Sequence, residues 1–319
     1  MRALSDDRIL NLAAEWYQSG HDLAIAVVIQ TWGSSPRPRG SIMIIRDDNQ
    51  MEGSVSGGCV ESAVIEAAHH VMADATANQL DFHVVDEEAW AVGLSCGGSI
   101  SVWICAASAM ADNAAHLFTY IRSQCSERNV IAIDCHISRP MMTIANPDQP
   151  ANTLSDSSSC FHLVIEAQPR LFIVGAVHIS QHLAPMAIAA GFDVTVIDPR
   201  TYFINEARFP ELALIKEWPD ETLIAAMLDR NSAVVTLTHD PKLDDAALQI
   251  ALQSPVFYIA SLGSHRTHKK RCERLRQNGY DDEQIARIHA PAGLDIKART
   301  PAEIAVSIMA ELIATRRDH

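Results

Sequence analysis

An α/β fold in two parts is predicted by three observations. From residue 170 onward, short apolar runs rich in valine and isoleucine alternate with helix-length amphipathic stretches, the pattern of parallel strands covered on both faces. Before that point, strand-like runs are separated by loops that concentrate glycine, serine, proline and cysteine. Between the two lies "NPDQPANTLSDSSSC", residues 146–160, a polar and turn-forming stretch. The reading is an N-terminal α/β domain over 1–168, then a Rossmann-like, doubly wound parallel-sheet domain over 169–319, with the boundary near Pro169. A chain of 319 residues, 48% hydrophobic and 20% charged, has the composition of one or two domains with real cores.

The elements follow in order. "MRALSDDRILNLAAEWYQSG" reads as an amphipathic helix. "HDLAIAVVIQTWGS" and "SIMIIRDD" read as strands broken by "SSPRPRG". "CVESAVIEAAHHVMAD" is a helix, "LDFHVVD" and "SISVWICAA" are strands around the loop "LSCGG", and residues 111–128 form a helix before the strands "NVIAIDCHI" and "PMMTIA". In the second half the order is strand 170–176, helix "HISQHLAPMAIAAG", strands "FDVTVIDPR" and "ALIKEW", helix "DETLIAAMLDR" and strand "SAVVTLTHD". Helix "DDAALQIALQS", strand "VFYIASLG" and a basic helix complete it.

Charge and composition exclude several classes. Lysine and arginine total 25 against 39 acidic residues, a net charge of −14, so a polyphosphate such as nucleic acid would be repelled on average. No apolar run approaches the roughly 18 residues a bilayer span requires, and the N-terminus lacks the apolar core and cleavage site of a signal peptide. A cytoplasmic protein without membrane or nucleic-acid partners is expected. The seven cysteines show no paired zinc spacing, and free thiols are expected of a reducing compartment, with Cys105 and Cys135 as small buried side chains.

Four stretches carry chemistry. In "GSVSGGCVES", Gly57 and Gly58 remove side-chain bulk beside Cys59, and a helix starting near that cysteine would aim its positive end at the sulfur and favour thiolate. Glu61 follows two residues later, and "LSCGG" repeats the theme with Cys96 and Gly97. Were the two loops to face each other, they would form an open pocket with two soft ligands and free backbone donors, suited to a soft metal or to sulfur transfer; two small buried cysteines at tight turns is the plainer alternative. Arg37 and Arg39, on a proline-stiffened loop, suit an anionic group or a surface turn.

In "VGAVHIS" a dinucleotide fingerprint keeps only Gly175, because Val177 and Ser180 stand at its second and third glycine positions. Asp198, 23 residues on, is placed where a ribose-binding acid would sit. "SLGSHRTHKKRCERLRQ" opens a helix whose first N–H groups, with Ser264, His265, Arg266, His268 and Lys269, could gather a phosphate or simply present a solvated basic face. In "THDPKLDD", His239, Asp240, Asp244 and Asp245 offer either an acidic helix cap or a metal site, and the cap is the simpler reading.

Taken together, "GSSPRPRGSIMII", "GSVSGGCVES", "AVGLSCGGSISVWI", "FIVGAVHISQHLAPMAIAAGFDVTVIDPR", "AVVTLTHDPKLDD", "FYIASLGSHRTHKKRCERL" and "ARIHAPAGLDIKARTPAEIAVSIMAEL" resemble the xanthine dehydrogenase accessory family, XdhC/CoxI. The resemblance implies a non-catalytic, commonly dimeric chaperone for the molybdenum cofactor. Such a protein binds molybdopterin, or its cytosine dinucleotide form, protects it, supports its sulfuration with a cysteine desulfurase, and delivers it to a molybdenum hydroxylase of the xanthine or aldehyde dehydrogenase type. It places Cys59 and Cys96 near the metal or its sulfur as candidate metal ligands, Glu61 as the group that polarises or orients that site, and Arg37 and Arg39 at the pocket mouth. Gly57, Gly58, Gly97, Gly175, Asp198, Ser264, His265 and Arg266 complete the candidate cofactor contacts, and which half holds which end stays open. The competing readings are an NAD(P)-dependent oxidoreductase, against which Val177 argues, and a structural component of the hydroxylase. The weakly matched residues 107–168 are expected to recognise the partner.

Overall fold

The structure, a computed structural model, describes residues 4–33, 37–82, 98–110 and 112–318. It divides into two compact units, Met1–Ala167 and Gln168–His319.

In the first unit, five antiparallel strands form a sheet in the order β3-β2-β1-β5-β4: β1 Leu23–Trp32, β2 Ile42–Arg46, β3 Met51–Gly53, β4 Ala77–Phe82 and β5 Ser99–Ala106. Period-two alternation sends Ala24, Ala26 and Val28 of β1, with Val102 and Ile104 of β5, against helix α2 (Glu61–Asp74) through Val64, Ala68 and Val71. Leu23, Ile25 and Val27 face the other way, onto helices α1 (Asp6–Gln18) and α3 (Asp112–Glu127). Covered on both faces, β1 therefore reads as one continuous apolar run although its pairing is antiparallel.

A second antiparallel sheet, β7-β6-β9-β8, is built from β6 Ile131–His136, β7 Met141–Ile144, β8 Thr153–Leu154 and β9 Cys160–Ile165. The stretch 146–160, read from sequence as a loop, thus holds β8 and opens β9, whose Phe161, Leu163 and Ile165 join the core of α1 and α3. Cys105 and Cys135 are fully buried there, and burial pushes the Cys105 thiol up to about 12.

The second unit carries a six-stranded, wholly parallel sheet ordered β12-β11-β10-β13-β14-β15. Its strands are β10 Arg170–Val174, β11 Asp193–Ile197, β12 Ala213–Ile215, β13 Ser232–Thr236, β14 Tyr258–Ser261 and β15 Ile288–His289. Read outward from β10, this is the doubly wound Rossmann order. Helices α4 (His178–Ala189) and α9 (Pro301–Asp318) cover one face through Leu183, Ala187, Ile308 and Leu312. On the other face lie α5 (Pro219–Ala225), α6 (Pro241–Leu252), α7 (His265–Gln277) and α8 (Asp282–Ala286). Glu311 ties the two-residue strand β15 to this frame, accepting from the Tyr258 hydroxyl at 2.6 Å and lying 3.2 Å from His289 Nδ1. No helix among the described residues is long and apolar enough to cross a membrane.

Candidate functional site

The loop between β3 and α2 is organised by Glu61. Its carboxylate accepts from the Ser54 hydroxyl (2.7 Å), the Ser56 hydroxyl (2.5 Å) and the backbone N–H groups of Ser56, Gly57 and Gly58 (2.9, 3.0 and 2.9 Å). Ser56 Oγ in turn accepts from the N–H groups of Cys59 and Val60, both at 3.0 Å. Five consecutive backbone donors, 56 to 60, are therefore engaged by two side chains of the same loop. Such a row of N–H groups is an anion cradle, and here Glu61 is its anion.

Partial burial alone would raise the Glu61 pKa, but the hydroxyls of Ser56 and Ser54 and the Ser56 N–H outweigh it and hold the group at about 2. A depressed folded-state pKa contributes stability that is complete above the unfolded value near 4.5 and lost as pH falls through about 2. The Gly57 and Gly58 amide resonances should accordingly titrate with a midpoint near 2 and show no such step in Glu61→Gln. A midpoint at the ordinary carboxylate value would mean that the cradle does not hold in solution.

These surroundings correct two expectations. The donors of this loop are not free for a ligand, and α2 begins at Glu61 with Val60 as its cap residue, so the Glu61 carboxylate rather than the Cys59 sulfur sits among the N–H groups. Cys59 is half-buried, and Gly57 and Gly58 are exposed with φ of +85° and +121°. Among the described residues, a Cβ on Gly58 would meet nothing within 4 Å beyond its chain neighbours, so they leave the surface beside Cys59 bare. Arg37 joins this loop, Nε donating to the Ser54 carbonyl at 3.1 Å, whereas Arg39 is exposed. Cys96 and Gly97, the second half of the expected pair, lie outside the described residues. Among the described residues no three His, Cys, Asp or Glu side chains come together as metal ligands.

In the second unit the candidate residues gather at the carboxyl ends of the parallel strands, where the strand order reverses between β10 and β13. Gly175 ends β10 with φ +113°, and a Cβ there would stand 2.7 Å from Thr238 Cγ2. Asp198 does not stand open toward a ligand. It is fully buried and accepts from the Ala176 N–H (2.8 Å) and from Arg200 Nε and Nη2 (2.8 Å each). Burial would raise its carboxyl, but Arg200 and the Ala176 N–H bring it below the ordinary value. The acid expected at a ribose is thus spent on closing the β10 and β11 turns. Ser180, at the third glycine position, is buried and donates to the Gly175 carbonyl.

Asp240 caps α6 by accepting from the Lys242 N–H at 3.0 Å, and Ser264 caps α7 by accepting from the Thr267 N–H at 3.3 Å. His265 is exposed, and His268 turns inward to Cys272 Sγ at 3.4 Å. Arg266 instead lines a cavity of about 290 Å³ between α6 and α7, together with His239, Asp244, Lys270, Arg271 and Arg274. Sequence reasoning missed Arg271, and it read Asp244 only as part of an acidic helix cap or a metal site. The available signal was a charged residue on the stripe of α7 that also carries Cys272 and Leu275, all three buried.

Similarity to known proteins runs through both units. The XdhC Rossmann domain model matches residues 171–312, and the model of the XdhC and CoxI family matches residues 16–83. The molybdenum cofactor insertion chaperone PaoD of Escherichia coli (strain K12) is 27% identical over 316 residues, covering 98% of this chain and 90% of that protein. A protein of Bacillus subtilis (strain 168), named as a probable xanthine dehydrogenase component, is 27% identical over 319 residues, covering 93% of this chain and 94% of that protein. A crystal structure described as a xanthine dehydrogenase from Bacillus halodurans superposes with a TM-score of 0.75 at 23% identity, over 99% of this chain and 97% of that one, a likeness of fold. With its two units matched in order by two models of one family, and with relatives spanning both, the chain belongs to the XdhC and CoxI family.

Proposed function

We propose that this protein is a molybdenum cofactor insertion chaperone whose cargo is the pterin cofactor of a xanthine dehydrogenase-type hydroxylase. The observation that carries this reading is the end-to-end similarity to PaoD, named as such a chaperone, across 98% of the chain and through both units. In this reading the protein shelters the cofactor, supports its sulfuration by a cysteine desulfurase, hands it to the hydroxylase and performs no turnover itself. It works in the cytoplasm, as a dimer, and the cargo is molybdopterin or its cytosine dinucleotide.

The half-buried thiol of Cys59, beside the bare surface of Gly58, has the softness to approach the molybdenum end, with Cys96 as its proposed second thiol. Glu61 acts there by positioning: its cradle fixes the bend that presents Cys59. Phosphate-bearing parts of the cargo suit the basic opening of α7. The oxidoreductase alternative would require a pyrophosphate to pass the Val177 side chain and a ribose to reach the buried, Arg200-paired Asp198.

Reconstitution tests the reading. Protein purified from a host that makes the cofactor should carry a pterin species and raise the activity of cofactor-free hydroxylase, and Cys59→Ala with Cys96→Ala should lower both loading and activation. Equal activation with and without the protein would defeat the proposal. Undiminished loading of the double variant would remove the two-thiolate assignment alone.

A further inference from the structure

The cavity between α6 and α7 is built around a guanidinium that the protein leaves short of partners. Arg271 is 2% exposed. One of its nitrogens, Nη2, donates to the Leu262 carbonyl at 3.0 Å, while Nε and Nη1 are buried without a hydrogen-bond partner. Neither nearby carboxylate hydrogen-bonds Arg271, although Asp244 forms a long ion pair with it. Asp245 is forked by Arg274 at 2.5 and 2.9 Å. Asp244 accepts from Thr238 and from the His239 N–H and stays 4.0 Å from Arg271.

The outer wall adds Arg266 and Lys270, both exposed and neither in an ion pair among the described residues. Four cations thus face two acids, in a chain whose net charge is −14. A buried guanidinium with unmet N–H groups is costly unless acceptors are supplied. An oxyanion in the cavity supplies acceptors, and arginine binds such oxygens through charge-assisted hydrogen bonds.

We infer that this cavity is an anion subsite for a phosphate or pyrophosphate group, with Arg271 at its floor and Arg266 and Lys270 at its rim. Its lining comes from α6, α7 and the turn before α6 rather than from the β10 turn where a dinucleotide fold holds pyrophosphate. For the natural ligand, the phosphate of the cofactor cargo, the inference rests on the chaperone reading. The anion site itself does not.

Calorimetric titration of the full-length protein with inorganic pyrophosphate, at low salt, tests it directly. Binding with a Kd below about 1 mM is expected, weakened about tenfold or more in Arg266→Ala/Lys270→Ala, whose exposed side chains leave folding intact, and also in Arg271→Lys, which keeps the charge but loses the fork. No binding, or equal affinity in the folded double variant, overturns the site. Cofactor loading of the same double variant then separates the sources. A parallel loss assigns the subsite to the cargo, whereas unchanged loading overturns that identity and leaves a site for free phosphate or a nucleotide. If wild-type protein loads no cofactor at all, the chaperone reading fails and the pyrophosphate titration still decides the subsite.

Discussion

Asp244→Ala is expected to destabilise the second unit by about 3–5 kcal/mol, the range for removing one partner of a buried ion pair. At 2% exposure, Asp244 accepts from the Thr238 N–H (3.3 Å), the Thr238 hydroxyl (2.7 Å) and the His239 N–H (3.1 Å), and it is the carboxylate that faces the buried Arg271. Alanine would orphan those donors and leave Arg271 with less compensation than it has. Burial also pushes the Asp244 carboxyl up, so part of the loss is offset when its own desolvation is relieved. The sign is nevertheless clear, because the guanidinium stays behind.

Asp244→Asn, which keeps an acceptor and loses the charge, should cost less, and Asp244→Leu combined with Arg271→Met should recover much of the loss as a positive coupling in a double-mutant cycle. Urea unfolding followed through hydrogen exchange of the β13 amides reads the second unit separately from the first. An Asp244→Ala effect within about 1 kcal/mol would mean that Arg271 is balanced by something other than this acid. Pyrophosphate should restore part of the stability of wild type and variant alike if it binds only the folded cavity.

How much of this was legible beforehand depended on how local the cause was. "RLFIV", "DVTVI", "SAVVT" and "YIAS" are buried on both faces, so their apolar runs announce the parallel sheet without any tertiary information. The two-residue strands β8 and β15 are too short to carry a period, and β9 directly follows a serine-rich turn that masks its start. Gly175, Val177 and Asp198 were identifiable by spacing. That Arg200, two residues beyond Asp198, would occupy it depends on the geometry of one turn. Glu61 stood out beside Cys59, but its partners are backbone N–H groups, which no pattern of side chains displays. Arg271 could be weighed only once α7 had a buried side. Asp240, by contrast, announces its cap by position alone, and the structure gives it that place.

Two glycines of the Cys59 loop should respond very differently to the same added methyl group. Gly53 pairs with Met43 across β2 and β3, and a Cβ there would stand 2.4 Å from the Ile42 carbonyl oxygen and 3.1 Å from Met43 Cα, at a φ of +87°. The obstruction is backbone on a buried strand, which cannot swing aside as a side-chain tip can. Gly53→Ala therefore combines left-handed strain with overpacking, about 3 kcal/mol in all, and should part the edge strand β3 from β2. Gly58 has the more positive φ, +121°, yet open space around it among the described residues. Gly58→Ala should cost only the conformational strain, about 1–2 kcal/mol. The consequence for function runs the opposite way in kind. Gly53→Ala would release Ser54, and with it a hydroxyl ligand of Glu61 and the carbonyl that Arg37 holds, so the whole bend presenting Cys59 should loosen. Gly58→Ala would leave the Glu61 cradle in place while putting a methyl group on the bare surface beside the thiol. Thermal unfolding ranks the first effect above the second, and alkylation of Cys59 by iodoacetamide should quicken in Gly53→Ala and slow in Gly58→Ala. Equal stability losses in the two variants would show that the hairpin, and not the methyl group, gives way.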